Sequence, residues 1–323
     1  MRNLDATALD ESTRPATGAR AVGGTGVIVS PIGIDGAAFG WVAGSDETAR
    51  VLDTYTAAGG NLVTTADHYS GGRSEVMIGA WLSTVPDRST VILETRVGRH
   101  PDVPGLSKRK VLRAVENSLT RLGTDYVDFL SFDGEDDETP IEESLETGVR
   151  LIAEGKVRFL SASRFSPAAI RRVAEIAEEA DGPAFGAILI EYNLMDRALY
   201  EQEFQTLSVE LGRGALARLP LANGYLTGQF RTRNDIPHSL MFDGATRHIG
   251  RRGERILAAL ETVSRDLGET PTTVALAWVL LKPGIAAAIL RAADAEQVQR
   301  ALRATRVRLE RHHVALLDKA SAQ

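Results

Sequence analysis

Residues 59–79, GGNLVTTADHYSGGRSEVMIG, decide how the rest of the chain is read. Leu62 and Val63 are a short apolar run, the end of a buried strand. Thr64, Thr65, Ala66 and Asp67 carry the chain off that strand, and His68 and Tyr69 stand on the loop. Gly71 and Gly72 break the backbone, and Ser74 with Glu75 opens an amphipathic run through Met77, Ile78 and Trp81. The order is strand, polar loop, helix, with a phenol on the loop. In a parallel α/β barrel such a loop lies on the face where chemistry occurs. The competing reading is an ordinary turn whose tyrosine packs its ring on a neighbour.

The same alternation runs through the chain. Residues 21–34 read as a β-hairpin followed by a first strand. Residues 45–59 read as a helix opened by Ser45, with a capping box to Thr48 around the acids Asp46 and Glu47. A third strand covers 91–93 and leads to Glu94-Thr95-Arg96, and Ser107 caps the next helix. A fourth strand, 126–132, ends on Asp133; a helix covers 140–153 and a fifth strand 157–162. Ser166-Pro167 opens another helix, because proline suits the first turn. Strands follow at 185–190, 215–217 and 285–290, and helices at 254–267, 271–281, 294–303 and 309–320. A Gly- and Arg-rich loop spans about 220–250, a length typical of functional loops. Eight strands alternating with helices imply a parallel sheet, and this length favours closure. The expected class is therefore α/β: a (β/α)8 TIM barrel with an N-terminal β-hairpin and extra C-terminal helices. No Gly-x-Gly-x-x-Gly follows a strand, and no solenoid repeat is present.

Bulk properties set limits. A hydrophobic content of 43% with 25% charged residues describes a globular chain large enough for one core. The net charge of -6 gives no general affinity for nucleic acid. The absence of cysteine excludes disulfides, thiol nucleophiles and thiolate metal sites, and fits a cytoplasmic protein. No run of 18 apolar residues exists, so no membrane span is expected, and residues 1–20 read as a flexible polar tail without a signal core. The expected organisation is that tail followed by one barrel domain, 21–323. Of the histidines outside the loop, only His312-His313 are adjacent. They read as a solvated pair rather than metal ligands, and no metal is expected.

The chain after the tail resembles the aldo/keto reductases. That family carries a Gly-Asn-aromatic-aliphatic run, Asp-Thr-Ala-Asp, one residue, Tyr, and a Gly-x-Ser-Glu helix start. Here Asn61-Leu62-Val63 lead to Thr64-Thr65-Ala66-Asp67, His68, Tyr69 and Gly72-Arg73-Ser74-Glu75. Further landmarks are Leu122-Gly123-Thr124-Asp125-Tyr126-Val127-Asp128, Gly155-Lys156-Val157-Arg158, Glu191-Tyr192-Asn193, Leu226-Thr227-Gly228 and Glu296-Gln297. The resemblance implies the barrel, a hairpin plugging its bottom, and NADPH-dependent carbonyl reduction. In that chemistry a tyrosine donates the proton, a lysine and an aspartate lower its pKa, and a histidine orients the carbonyl.

The matching positions hold Tyr69, Arg96 for the lysine, Thr64 for the aspartate and Asp133 for the histidine, so three of four roles are replaced. Arg96 keeps the charge that favours a tyrosinate, but as a wide planar fork. Asp133 puts an anion where a neutral donor is usual; it can pair with Arg96 or act as a base. The cofactor contacts change as well. Asp35-Gly36 stands where the family has Gly-Thr, Ser163-Arg164 replaces Ser-Asn at the carboxamide, and Glu191 replaces glutamine. Arg218-Leu219 replaces Tyr-Ser, the ring that stacks on nicotinamide, while Arg291 matches a lysine that some members place on the 2′-phosphate. Arg300, near a lost adenine contact, reads as a solvated helix charge.

The expected site therefore has Tyr69, Arg96, Asp133 and Thr64 as catalytic residues. His68, Asp35, Arg164, Glu191 and Arg218 would touch substrate, and Ser163 and Arg291 would serve NADP(H) if it binds. So many charges at one mouth are costly unless they pair or meet a ligand, and several guanidiniums suit a carboxylate or phosphate. The favoured reading is non-redox acid/base chemistry (dehydration, isomerisation or cyclisation) on a small polar substrate, with no cofactor favoured. Two alternatives stand beside it. One is an NADPH-dependent reductase with an unusual tetrad. The other is a non-catalytic barrel, as the resemblance to potassium-channel beta subunits permits. Oligomeric state is not legible in the sequence.

Overall fold

The computed structural model describes residues 18–237, 242 and 244–322. It is a closed parallel barrel of eight strands, as expected. We number the barrel strands β1 (Ile32–Asp35), β2 (Leu62–Ala66), β3 (Ile92–Val97), β4 (Val127–Asp133), β5 (Val157–Ser163), β6 (Ala187–Glu191), β7 (Gly214–Arg218) and β8 (Ile285–Arg291). Each pairs with its sequence neighbour, and β8 closes on β1. Before them a short hairpin pairs Arg20–Ala21 with Ile28–Val29. Most of the segment read as a tail, residues 1–17, lies outside the described residues, whereas the Arg20 guanidinium bonds the carbonyls of Ile285 and Leu280.

Strand periodicity sorts the side chains into two cores. Ile34, Val63, Leu93, Leu130, Leu160, Ile188, Ala215 and Ala288 face outward into the core shared with the helices. Leu62, Ile92, Phe129, Leu189, Leu216 and Ile289 face inward with Val22, Val27 and Val29 of the hairpin, which plugs the barrel bottom. Two residues further along each strand the inward positions turn polar: Thr64, Glu94, Ser131 and Ser161. Two further still they are charged or form the rim, with Arg96, Asp133 and Ser163; β1, β6, β7 and β8 reach the same level at Asp35, Glu191, Arg218 and Arg291. The barrel is thus apolar at its hairpin end and ionic at the end where its strands finish, and the ionic end is the one that carries chemistry in this architecture.

The helices are α1 (Ser45–Ala57), α2 (Arg73–Leu82), α3 (Lys108–Leu122), α4 (Ile141–Ala153), α5 (Pro167–Glu179), α6 (Gln205–Glu210), α7 (Arg251–Leu267), α8 (Pro271–Leu280), α9 (Ala295–Arg303) and α10 (Arg311–Ser321). Tyr55 of α1 is buried, and its hydroxyl donates to the Ile32 carbonyl at 2.7 Å and accepts from the Leu62 amide at 2.9 Å. That phenol stitches β1 to β2 below the site, and burial pushes its pKa up to about 12. Gly79 lets α2 lie on α3: a Cβ there would sit 2.4 Å from the Arg121 carbonyl oxygen. Among the C-terminal helices, Trp278 of α8 donates to Asp318 of α10 at 2.9 Å.

Several local expectations are corrected. The N-cap of α1 is Gly44, so Ser45 lies inside the helix and no side chain caps it. Ser107 is the N-cap of α3 but makes no capping hydrogen bond. Ser166 does cap α5, accepting from the Ala169 amide at 3.2 Å. Residues 200–210, unassigned from sequence, form a helical segment that includes α6; its apolar residues Tyr200, Phe204 and Leu207 are interrupted by acids, which blurred the period. Residues 238–241 and 243 of the long loop lie outside the described residues. No helix among the described residues is long and apolar enough to cross a membrane.

Candidate active site

The ionic end is organised around Arg96, 1% exposed and wedged between strands. Its Nε donates to the Thr65 carbonyl at 2.8 Å, and its Nη2 donates to Asp35 Oδ2 at 3.3 Å. Beneath it, Glu94 Oε1 lies 3.8 Å from Nε. Above it, the ring centroid of Tyr69 is 5.0 Å from the guanidinium carbon. The Tyr69 hydroxyl points to Asp35 Oδ2 at 3.4 Å, so phenol, guanidinium and carboxylate form one chain. Asp35, expected on the substrate, is therefore the partner of Arg96 and Tyr69. Burial alone would raise its carboxyl, but the guanidiniums of Arg96, Arg291 and Arg218 outweigh that and hold it below the usual carboxylate range.

Asp133 belongs to a second group. Its Oδ1 accepts from the Ser163 hydroxyl at 2.8 Å and lies 3.5 Å from Arg164 Nε, while Oδ2 has no hydrogen-bond partner. Of the two readings of Asp133, pairing with Arg96 or acting as a base, the ion pair is not formed among the described residues; Asp35 and Glu94 lie against that guanidinium instead. Burial pushes the Asp133 carboxyl up, but Arg96, Arg164 and Arg218 prevail and hold it low, so it is ionised at neutral pH. Arg164 has φ of 61°, strained for a side chain with a Cβ, which turns its guanidinium back over the strand end.

The remaining expected residues fall as follows. Thr64 is buried and its hydroxyl has no partner; it touches neither Tyr69 nor Arg96 by hydrogen bond. His68 stacks edge-on against Tyr69 at 5.0 Å and turns Nδ1 to Asp67 at 3.4 Å. Glu191 is taken by Arg247 of the long loop, which also reaches Asp196 at 3.0 Å. Arg218, 6% exposed, donates from Nη1 to the Ser163 hydroxyl at 3.4 Å, and its Nε is buried without a partner. Arg291 donates to the Asn223 amide oxygen at 3.3 Å, and its Nε is likewise unpartnered.

Glu94, Arg247 and Asn223 were not singled out from sequence. Only Glu94 had a signal: it lies two residues before Arg96 on one strand and so shares its inward face. Burial, against the pull of Arg96, raises its carboxyl to about 7. A cleft lies beside β7 and β8, away from Tyr69, with Pro220, Asn223, Gly224, Arg291, Gln297 and Arg300 in its wall. The turn that wraps it holds Leu219, Ala222 and Asn223 in left-handed conformations, φ 50°, 50° and 53°. Arg300, read as a solvated charge, lines this cleft while pairing with Glu296 at 2.6 Å.

A sequence model of the aldo/keto reductase family matches residues 31–322. The chain belongs to the aldo/keto reductase family. A curated relative from Schizosaccharomyces pombe, named "Putative voltage-gated potassium channel subunit beta", is 28% identical over 299 residues, covering 86% of this chain and 85% of its own. For an aldo/keto reductase the site has an uneven fit to NADP(H). The unpartnered Nε of Arg291 in the cleft fits a phosphate at the adenosine end. At the positions that the resemblance assigns to the nicotinamide the fit is poor: the Ser163 hydroxyl donates to Asp133, Glu191 is held by Arg247, and Arg218 is a buried guanidinium.

One cluster with metal-type side chains exists among the described residues: Asp266, His312 and His313, far along the chain on α7 and α10. His313 is buried rather than solvated, correcting the expectation for that residue, while His312 is exposed. Its Nδ1 accepts from the Glu310 amide at 3.2 Å, which places the neutral ring's proton on Nε2, the atom facing Asp266 at 4.0 Å. A ring in that tautomer offers no lone pair toward the cluster.

Proposed function

We propose that this barrel performs proton transfer rather than hydride transfer: dehydration, isomerisation or cyclisation of a small polar substrate. The observation that supports it is the phenol of Tyr69 over the buried guanidinium of Arg96, with the carboxylate of Asp133 kept ionised by Arg96, Arg164 and Arg218. Arg96 never deprotonates, so it serves as a fixed positive charge beneath the Tyr69 ring that favours a bound anion. Asp35 holds that charge in position. Asp133 Oδ2 is a free acceptor and suits the base; the Tyr69 hydroxyl suits the acid. In a dehydration, Asp133 would take the proton from the carbon next to an electron-withdrawing group. The electron pair forms the double bond, and the neighbouring hydroxyl leaves with the Tyr69 proton as water. The protein is proposed to be cytoplasmic and to act on a free small molecule.

The test is incubation with NADPH and a panel of aldehydes and ketones, following the nicotinamide absorbance, alongside NMR detection of solvent deuterium entering small hydroxy and keto acids. Deuterium incorporation lost in Tyr69→Phe and Asp133→Asn, without NADPH consumption, is expected. NADPH turnover with simple carbonyls would sink the reading. A second reading, NADPH-dependent carbonyl reduction, is favoured by Arg291 in the cleft and by family membership.

A further inference from the structure

The carboxylates at the ionic end are each accounted for. Asp35 is on Arg96, Asp133 on Arg164, Glu191 on Arg247, Asp67 beside His68, and Glu94 beneath Arg96. Among the described residues none lies within ion-pair distance of Arg218, although the residue is only 6% exposed. Its only hydrogen bond is the long one to Ser163, whose hydroxyl proton is committed to Asp133. A guanidinium taken out of water with its Nε–H unsatisfied is unfavourable, and core filling does not explain it, since the family reading places an aromatic ring there.

We propose that Arg218 anchors a carboxylate of the substrate, which it grips through its Nε and Nη edge, Ser163 linking it to the base Asp133. This rests on the reading that the ionic end receives a small polar substrate. The planar fork of a guanidinium matches a carboxylate in two parallel hydrogen bonds. A phosphate is better served by a set of free backbone amides, and the turn after β7 offers few: the amides of Ala222, Gly224 and Tyr225 all bond carbonyls inside the turn. Arg164, which feels the charge of Arg218 and lies 3.5 Å from Asp133, is 39% exposed and adds a second positive charge to the attraction. A carboxylate on Arg218 also explains a base at Asp133: it would acidify the adjoining carbon once its own charge is neutralised by the guanidinium.

Calorimetric titration at low ionic strength with malonate, and separately with inorganic phosphate, tests this on wild type, Arg218→Leu, Arg218→Lys and Ser163→Ala. Circular dichroism melts check that each variant folds. Wild type should bind malonate more tightly than phosphate. Arg218→Leu should weaken malonate at least tenfold, and Arg218→Lys should keep part of the affinity. If Arg218→Leu does not fold, Arg218→Lys carries the test and should lose severalfold, because an ammonium cannot form the fork. No malonate binding by wild type, unchanged affinity in the Arg218 variants, or tighter binding of phosphate would overturn the proposal. The titration contains no cofactor, so malonate binding together with NADPH turnover would remove the proton-transfer reading and leave the anchor standing.

Discussion

Asp35 stands directly beside Thr64 in the register of β1 and β2, and its carboxylate reaches Arg96 at 3.3 Å. The resemblance assigns the family's carboxylate to the position of Thr64, and Asp35 lies one strand away from it. The planar fork of Arg96 holds Asp35 and a backbone carbonyl together.

Removing that partner should be severe. Asp35→Ala leaves the buried guanidinium of Arg96 with Glu94 as its remaining ion-pair partner among the described residues, and should cost ~3 kcal/mol of stability, read from urea unfolding. Adding Thr64→Asp should recover a good part of the loss, because the new carboxylate would start from the neighbouring inward position. No recovery in the double variant would mean that the two positions are not equivalent with respect to Arg96.

Tyr69→Phe should separate chemistry from stability. Its hydroxyl is half-buried and its contact with Asp35 is long at 3.4 Å, so the stability change should stay below ~1 kcal/mol. Loss of a positioned acid should lower deuterium exchange or product formation by roughly 10²–10⁴-fold. A variant that melts many degrees lower with exchange intact would identify Tyr69 as a packing residue.

Glu94 should make stability depend on pH through the neutral range. Burial raises its folded carboxyl to about 7, above the value of 4.5 for a free glutamate. The folded state therefore holds its proton more tightly than the unfolded chain. The stabilisation is fully present below about 4.5 and is lost as pH rises through about 7. Arg96, Asp35 and Asp133 face this carboxyl and act in opposed directions, and the Ser131 hydroxyl favours its ionisation. Asp35 and Asp133, held low, act at the acid end: their contribution is present above ordinary aspartate values and lost below them. Melting curves of Glu94→Gln should lack the decline that wild type shows between pH 4.5 and 7. Parallel curves for the two proteins would place the Glu94 proton elsewhere.

Arg218→Tyr should restore the aromatic face that the family presents to nicotinamide and remove a positive charge from a buried place. NADP+ titrated by calorimetry should bind this variant more tightly than wild type, since the oxidised ring is itself cationic. The native reaction should fall in the same variant. Equal affinities, or tight binding by wild type, would show that Arg218 does not exclude the cofactor.

The sequence by itself determined the architecture. Eight apolar strand segments, spaced by amphipathic helices, have few ways to bury their faces other than closing into a barrel, and each predicted strand lies within a few residues of an observed one. Through the family resemblance it also gathered Arg96, Asp133 and Arg218 at strand ends and Tyr69 on the loop after β2. Which charge meets which was decided only by the tertiary structure. Asp35 with Arg96, Asp133 with Arg164, and Glu191 with Arg247 join strands and loops far apart in the chain, and their pairing depends on strand register and on a strained turn at Arg164. The exceptional state of Glu94 has the same origin: a carboxyl on an ordinary-looking strand is forced toward neutrality only where the closed barrel shuts out water around it.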